Sequence, residues 1–273
     1  MIIKLYGTRG SIPVASRETQ KYGGNTTCLY IESTEGNAII IDAGSGIREL
    51  GAYCLKKKKQ NLTLIFTHYH WDHMQGLPFF APLYLKGTTI TIYGPDKETT
   101  PKKALFHQMM RPYFPTISWK DVPSKISYKE ITKKFKIGSL TIQTIPTNHP
   151  NYTMGLKFTE GNRSFAFLTD NELFARNKTT PYQKFVDFIK NTSFFIHDAA
   201  YTEEIYKDRL GWGHSTYTQV MQLAVDAGVD HVIFTHHDPP TTDKAIDKIL
   251  RIIRKKYPGQ TIEAAADGKS FTL

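Results

Sequence analysis

Residues 67–76 read THYHWDHMQG, and they follow LTLIF at 62–66, a short apolar run with the character of a buried strand. Three histidines and an aspartate fall within six positions, at the point where that strand gives out. His68, His70 and His73 can offer neutral ring nitrogens and Asp72 an oxygen, a donor mix that suits zinc, iron or manganese. A loop that is merely polar would need no further ligands. A metal site would, and the rest of the chain supplies candidates.

These candidates occur where other strand-like patterns end: His149 after LTIQTIPTN, Asp170 after SFAFLT and His236 after HVIFT. A strand alternates its side chains between two faces, whereas its end can aim one across the sheet edge. Three such ends converging on the THYHWDH loop would give seven ligands in all, enough for two metal ions about 3.5–4 Å apart. A carboxylate has two oxygens with which to bridge such a pair, and Asp170 is the best candidate. His237 adjoins His236, but neighbours on an extended chain point to opposite faces, so His237 is the substitute reading. Asp42 in IIIDAG is expected to support the loop, orienting ligands and accepting backbone hydrogen bonds. His107 and His231 have no such company and read as surface or packing residues.

The chain has 273 residues, 40% of them hydrophobic and 22% charged. That is a globular mix with enough chain for a sizeable core. The start MIIKLYGTRGS has no basic segment followed by a long apolar run, which argues against a signal peptide. No stretch approaches the roughly 20 apolar residues of a membrane span. The two cysteines, Cys28 and Cys54, make no disulfide scaffold, and a cytoplasmic location is the expectation. Net charge is +10, which favours an anionic partner without naming it. The run KKKK at 56–59 lacks interleaved aromatics and reads as a solvated turn.

The first 70 residues read as strands joined by glycine turns (KLYG, TTCLYIES, NAIIIDAG, LTLIFTH), with a helix in SGIRELGAYCLKK. MQGLPFFAPLYLKG is expected to begin as a helix, and TITIYG returns to strand. The stretch at about 95–130 stands apart as an inserted segment. It carries Pro101, Pro112, Pro115 and Pro123, a helix in PKKALFHQMM that Pro112 would end, and an apolar face of Phe106, Met109, Met110, Tyr113 and Phe114. The second half repeats the strand style in SLTIQTIPTNH, TMGLKF, SFAFLTD, TSFFIHDA and DHVIFTHHDP. Helices are expected at 181–191, 216–227 and 243–257, the last two beginning near Ser215 or Thr216 and Thr242. Strand-rich halves with intervening helices predict two packed sheets with helices outside, in one domain spanning 1–273.

The motif H-x-H-x-D-H, intact as His68, His70, Asp72 and His73, resembles the signature of the metallo-β-lactamase superfamily. The similarity runs from YGTRGS at 6–11 through GGNTTC at 23–28 and IIIDAG at 39–44 to THHDP at 235–239. The resemblance implies an α+β fold, an αββα sandwich of two mixed β-sheets with helices on the outer faces. It also implies two divalent ions, zinc first, with manganese or iron also fitting. His68, His70 and His149 would hold one and Asp72, His73 and His236 the other, with Asp170 and a hydroxide bridging them.

Within that superfamily the chain resembles the phosphodiesterase branch, which includes tRNA 3′-processing nucleases and small cyclic phosphodiesterases. Asp170 stands in TDN, where many lactamases have cysteine, and GHST at 213–216 resembles the branch's histidine-serine-threonine motif. IHDA at 196–199 resembles the acidic motif that accompanies it. His214, Asp198 and the ligand Asp72 form the expected catalytic set. His214 would donate to a phosphate oxygen or protonate the leaving group, and Asp198, with His197 as second choice, would hold its other nitrogen. Ser215 and Thr216 read as helix caps.

The tRNA-processing members usually carry a long flexible arm, but only 20 residues separate His149 from Asp170, and strand patterns fill them. The expectation is a metal-dependent hydrolase of a small phosphodiester or cyclic nucleotide, with no membrane partner and with a homodimer compatible. RNA processing and carboxylic-ester, lactam or thioester hydrolysis are the alternatives within the fold. A non-catalytic nucleic-acid-binding module is the rival class.

Overall fold

Isoleucine, leucine and phenylalanine crowd the runs that become the middle strands, where both faces lie against protein. The computed structural model describes residues 1–110 and 118–273; Pro112, Tyr113, Phe114 and Pro115 lie outside them. The chain lays down β1 (Ile2–Gly7), β2 (Cys28–Glu32), β3 (Ala38–Ile41), β4 (Asn61–Ile65), β5 (Thr89–Gly94) and β6 (Lys125–Glu130) in the first sheet. It then builds β7 (Lys134–Ile137), β8 (Leu140–Pro146), β9 (Met154–Glu160), β10 (Arg163–Leu168), β11 (Phe194–Asp198), β12 (His231–Thr235) and β13 (Thr261–Ala264) as the second. A last strand, β14 (Ser270–Thr272), returns to pair with β1.

The orders are β14-β1-β2-β3-β4-β5-β6 and β7-β8-β9-β10-β11-β12-β13. In each sheet three antiparallel pairings are followed by three parallel ones. The two sheets therefore share one plan, although no short repeat marks the sequence. Parallel pairing puts β3 and β4, and likewise β10, β11 and β12, with their C-terminal ends on one edge, where crossover loops emerge.

One core lies between the sheets: Ile3, Leu5, Ile31, Ile39, Ile41 and Ile65 meet Ile142, Leu156, Phe158, Phe165, Phe167 and Ile196. Each such side chain, fully buried, contributes about 1.5–3 kcal/mol. A second core covers the outer face of the first sheet, where Ile47, Leu50 and Cys54 of α1 (Ile47–Lys56) pack on Tyr30, Ile40 and Leu64. Beyond β4 comes only one helical turn, α2 (Trp71–Met74), and then two 3-10 turns at Leu77–Phe79 and Ala81–Tyr84. The longer helix expected there does not form, because Pro78 and Pro82 each start a fresh turn. α3 (Pro101–Gln108) has Thr100 as its N-cap. The segment set apart at about 95–130 thus contributes this helix and, at its end, the edge strand β6.

The third core covers the second sheet, where α4 (Tyr182–Ile189), α6 (Tyr217–Ala227) and α7 (Asp243–Lys256) pack on Ala166, Leu168, Phe195 and Phe234. A one-turn helix, α5 (Glu203–Tyr206), precedes α6. Thr216 caps α6 in a full capping box with Gln219, and Thr242 caps α7. The layers are therefore helix, sheet, sheet, helix, as expected. Among the described residues no helix is long and apolar enough to cross a membrane.

Candidate metal centre

Apart from His214, which lies between α5 and α6, every side chain of the centre comes from a strand end or the loop just beyond it. Asp42 follows β3, the HxHxDH loop follows β4, His149 follows β8, Asp170 follows β10, Asp198 closes β11 and His236 follows β12. Three of these residues turn through the left-handed region: Asp42 at φ 59°, Asp170 at φ 53° and His236 at φ 57°. That conformation costs an L-residue roughly 1–2 kcal/mol. It bends the chain off the strand axis and aims the side chain at the sheet edge, where the extended conformation would have aimed it into a core.

Two groups form there. One nitrogen each from His68, His70 and His149 lies with a carboxylate oxygen of Asp170, all within 4.8 Å of one another, and Asp72, His73 and His236 form a second group on the same criterion. Asp170 faces both. Its Oδ2 is 3.6 Å from His68 Nε2 and 3.8 Å from His149 Nε2, while its Oδ1 is 3.2 Å from His73 Nε2 and 3.4 Å from His236 Nε2.

The surroundings decide which ring nitrogens carry protons. Thr67 Oγ1 donates to Asp42 Oδ2 and so accepts from His68 Nδ1, 3.1 Å away. Asn151 Nδ2 donates to Glu98, leaving its Oδ1 to accept from His70 Nε2 at 2.9 Å. The Gly213 carbonyl accepts from His149 Nδ1 at 3.2 Å, and Asp42 Oδ2 accepts from His73 Nδ1 at 2.9 Å. Each imidazole spends one nitrogen outward and turns the other inward. His70 Nδ1 and His149 Nε2 then face each other at 3.0 Å, lone pair against lone pair. The inward nitrogen of His68 is buried with no hydrogen-bond partner, and that of His73 faces only the carboxylates of Asp170 and Asp72. Lone pairs converging on buried carboxylates fit a bound cation and little else. The donor set, imidazole and carboxylate, fits divalent transition metals.

Charge follows the same logic. Burial holds the His68 imidazole well below its ordinary pKa, and burial, partly opposed by Asp170, brings His149 down to about 4. Both rest in the neutral, ligating form. Burial disfavours the charged forms of His73 and His236 as well, but the aspartates outweigh it. Asp170, Asp72 and Asp42 raise His73 well above its usual value, and Asp170 with Asp72 brings His236 up to about 9. Asp170 stays ionised despite burial because His236, His73 and His68 surround it. The pocket is built around negative charge that asks for positive charge at its centre.

His214 joins from the other side. Its Nδ1 donates to Asp198 Oδ2 at 2.9 Å, and one of its nitrogens lies within 4.8 Å of ligand atoms of Asp170 and His236. Its ring stacks on His236 with centroids 4.7 Å apart. Asp198, fully buried, is held below its usual pKa: burial opposes ionisation, but hydrogen bonds from His197 and His214 prevail. His197 places Nδ1 3.0 Å from Asp198 Oδ1 and Nε2 against Asn171, so it supports Asp198 from behind. His237 turns away, its Nε2 donating to the Ala265 carbonyl at 3.0 Å, so His236 is the residue that reaches the centre. His107 lies outside it on α3, and His231 pairs with Glu263 on the far side of β12. Ser215 is buried, bridging Leu173 and Asn171, and makes no approach to the centre as a nucleophile.

Several supports escaped the sequence reading. Glu172 accepts from the Gly211 and Gly213 amides and the Tyr206 hydroxyl, fixing the GWG turn behind His149. A Cβ on Gly213 would lie 2.1 Å from His149 Nδ1, and one on Gly10 would lie 2.3 Å from His236 Nδ1. The YGTRGS loop thus packs on the centre, and its Ser11 amide donates to Asp72 Oδ2 at 2.8 Å. Glu172 lies two positions after Asp170 in the sequence, but no periodicity or spacing distinguishes it from a solvated acid.

A family model described as "Beta-lactamase superfamily domain" matches residues 37–237, a span that takes in every side chain of the two groups. Ribonuclease Z of Clostridium acetobutylicum is 24% identical over 303 aligned positions, covering 94% of this chain and 95% of that protein. The metallo-beta-lactamase fold protein YhfI from Bacillus subtilis superposes with a TM-score of 0.71 at 17% identity, over 99% of this chain and 98% of that one. A diphosphatase from the PhnP family gives the same score and identity over 100% of this chain and 97% of its own. Matched by the family model from β3 to beyond β12, and folded like these structures, the chain belongs to the beta-lactamase superfamily.

Proposed function

We propose that the protein is a metal-dependent phosphodiesterase of compact diesters, a cyclic nucleotide or a small linear diester. His68, His70 and His149 with Asp170 would hold one divalent ion, and Asp72, His73 and His236 with Asp170 the other, zinc being the first choice. Such ions, when bound, acidify water and clamp phosphoryl oxygens. The observation that carries the reading to phosphorus is the His214–Asp198 pair beside Asp170. Asp198 fixes the ring through Nδ1, leaving Nε2 to donate to a phosphoryl oxygen or to the departing oxygen. Asp72 is itself oriented by the Ser11 amide, so the YGTRGS loop keeps its carboxylate directed at the centre.

The hairpin after His149 bears on substrate size. β9 ends at Glu160 and β10 starts at Arg163, leaving a two-residue turn where an RNA-gripping arm would need to emerge. The alignment to ribonuclease Z has 303 positions, more than this 273-residue chain, so that relative carries stretches with no counterpart here. Both features support a small substrate over precursor tRNA. Both cysteines are free and buried, which suits the reducing cytoplasm.

The test is a hydrolysis screen of metal-reconstituted protein against cyclic mononucleotides, linear dinucleotides, a carboxylic ester and precursor tRNA at matched salt. The expected result is the highest kcat/KM on a small diester. Higher efficiency on precursor tRNA, with cleavage at its 3′ trailer, would reverse the choice.

A further inference from the structure

Trp71 sits between two candidate ligands, His70 and Asp72, as the first residue of α2, and its side chain is 76% exposed. Among the described residues its indole has no ring partner and no hydrogen bond, while its backbone carbonyl accepts from the Gln75 amide. An indole is among the largest apolar side chains, and leaving one in water forgoes burial that the fold could have used. Trp71 also lines a mostly apolar groove of about 400 Å³ with Tyr69, Met74, Ala104, His107 and Gln108. That groove shares Tyr69 and Thr99 with a second cavity of about 240 Å³, which is lined by His68 and Asn151. The two cavities adjoin at Tyr69 and Thr99, so that a path of lining residues runs from the candidate ligand His68 to the indole.

The path has a fixed far wall. Tyr69 is pinned by its hydroxyl, which donates to the Pro95 carbonyl at 2.7 Å, and Gln108 Nε2 donates to the Met74 carbonyl. Glu98 accepts from Asn151 Nδ2 and the Tyr152 amide, each at 3.0 Å, tying the segment before α3 to the loop that orients His70. Residues 95–108 thus bound the path on the side away from the HxHxDH loop. The polar groups on the groove's rim, Thr99, His107 and Gln108, offer hydrogen-bond donors and acceptors, and the carboxylate of the adjoining cavity, Glu98, is engaged by Asn151 and the Tyr152 amide.

We propose that Trp71 and this groove form the subsite for a planar aromatic group of the substrate, a nucleobase stacked on the indole while its phosphodiester reaches the metals. This rests on the phosphodiesterase reading and narrows it to nucleoside diesters. The occupant follows from the adjacency of the groove to the cavity at His68, from a flat exposed ring with no partner among the described residues, and from hydrogen-bonding groups of the kind that read base edges. Stacking tolerates any base, because every base has a π-face. Discrimination among bases falls to the rim, chiefly to Gln108 and His107.

The experiment uses the metal-loaded full chain in two measurements. The first is the ratio of kcat/KM for a nucleoside 5′-(methyl phosphate) diester to that for a dialkyl phosphodiester. Trp71→Ala should lower this ratio roughly 5- to 150-fold, mostly through KM for the nucleoside diester, and Trp71→Phe should restore most of it. The second is tryptophan fluorescence in a Trp212→Phe background, which removes the other exposed indole. Adenosine monophosphate should quench it saturably, and Trp71→Phe should abolish the quenching. An unchanged ratio in Trp71→Ala, or quenching that survives loss of Trp71, overturns the subsite. Wild type that hydrolyses neither diester would instead remove the phosphodiesterase reading, and the fluorescence then judges the subsite alone: saturable quenching lost with Trp71 supports it, and absence of quenching overturns it.

Discussion

Each oxygen of Asp170 faces a different histidine pair, and this division is what turns seven side chains into two adjoining sites. An amide in its place keeps the shape but loses the charge that His73, His236 and His68 are arranged around. Asp170→Asn should therefore lower metal content as well as turnover, and elemental analysis of purified variants checks it. Asp42 touches no ligand position of its own, yet it takes the outward proton of His73 and the hydroxyl of Thr67. Asp42→Ala should weaken metal retention about 10- to 100-fold, the usual scale for a residue that orients a ligand, as read by competition with a chelating dye. His214→Ala should keep both metals while turnover on a diester with a poor leaving group falls roughly 10²–10⁴-fold. Metal loss in that variant would make His214 a ligand, which its closeness to Asp170 and His236 leaves geometrically open. The seven side chains that come together here were legible in the sequence because strands announce their ends and histidine is rare enough to notice. The left-handed turns at Asp42, Asp170 and His236 were not, since aspartate and histidine reach that region only when tertiary contacts hold them there.

Among the elements, the sequence reading located the ten strands that are flanked on both sides and missed the four at the sheet edges, β6, β7, β13 and β14. The reason is burial. KISYKE and KFKI alternate between half-buried and exposed positions and are rich in lysine, as edges that must resist pairing with other chains tend to be. Helix starts were read well where a threonine caps them and poorly after α2, where two prolines broke one expected helix into turns. The loop from α5 to α6 is held chiefly by Glu172, whose buried carboxylate accepts from two glycine amides. Glu172→Ala would strand those donors at a cost of about 1–3 kcal/mol. Hydrogen exchange at Gly211 and Gly213 should then accelerate, and turnover should fall because the Gly213 carbonyl no longer fixes His149. Unchanged protection at both amides would show that the turn is held by other contacts.

For the whole molecule, two sheets of one plan pack face to face and share the edge at which the centre lies: the first supplies Asp42 and the HxHxDH loop, the second His149, Asp170, His214 and His236. Metals bound there would join the two halves, so their removal should loosen the sandwich as well as stop catalysis. At metal concentrations 100-fold above Kd, binding stabilises by about 2.7 kcal/mol per site. Treatment with a chelator should accordingly lower Tm by several degrees, reversibly on adding metal back. The central claim, however, is two ions bridged by one carboxylate, and crystallographic anomalous scattering from metal-loaded protein tests it most directly. Two peaks about 3.5–4 Å apart are predicted, one beside His68, His70 and His149, the other beside Asp72, His73 and His236, with Asp170 between them. A single fully occupied peak with Asp170 and His236 remote from it would contradict the account.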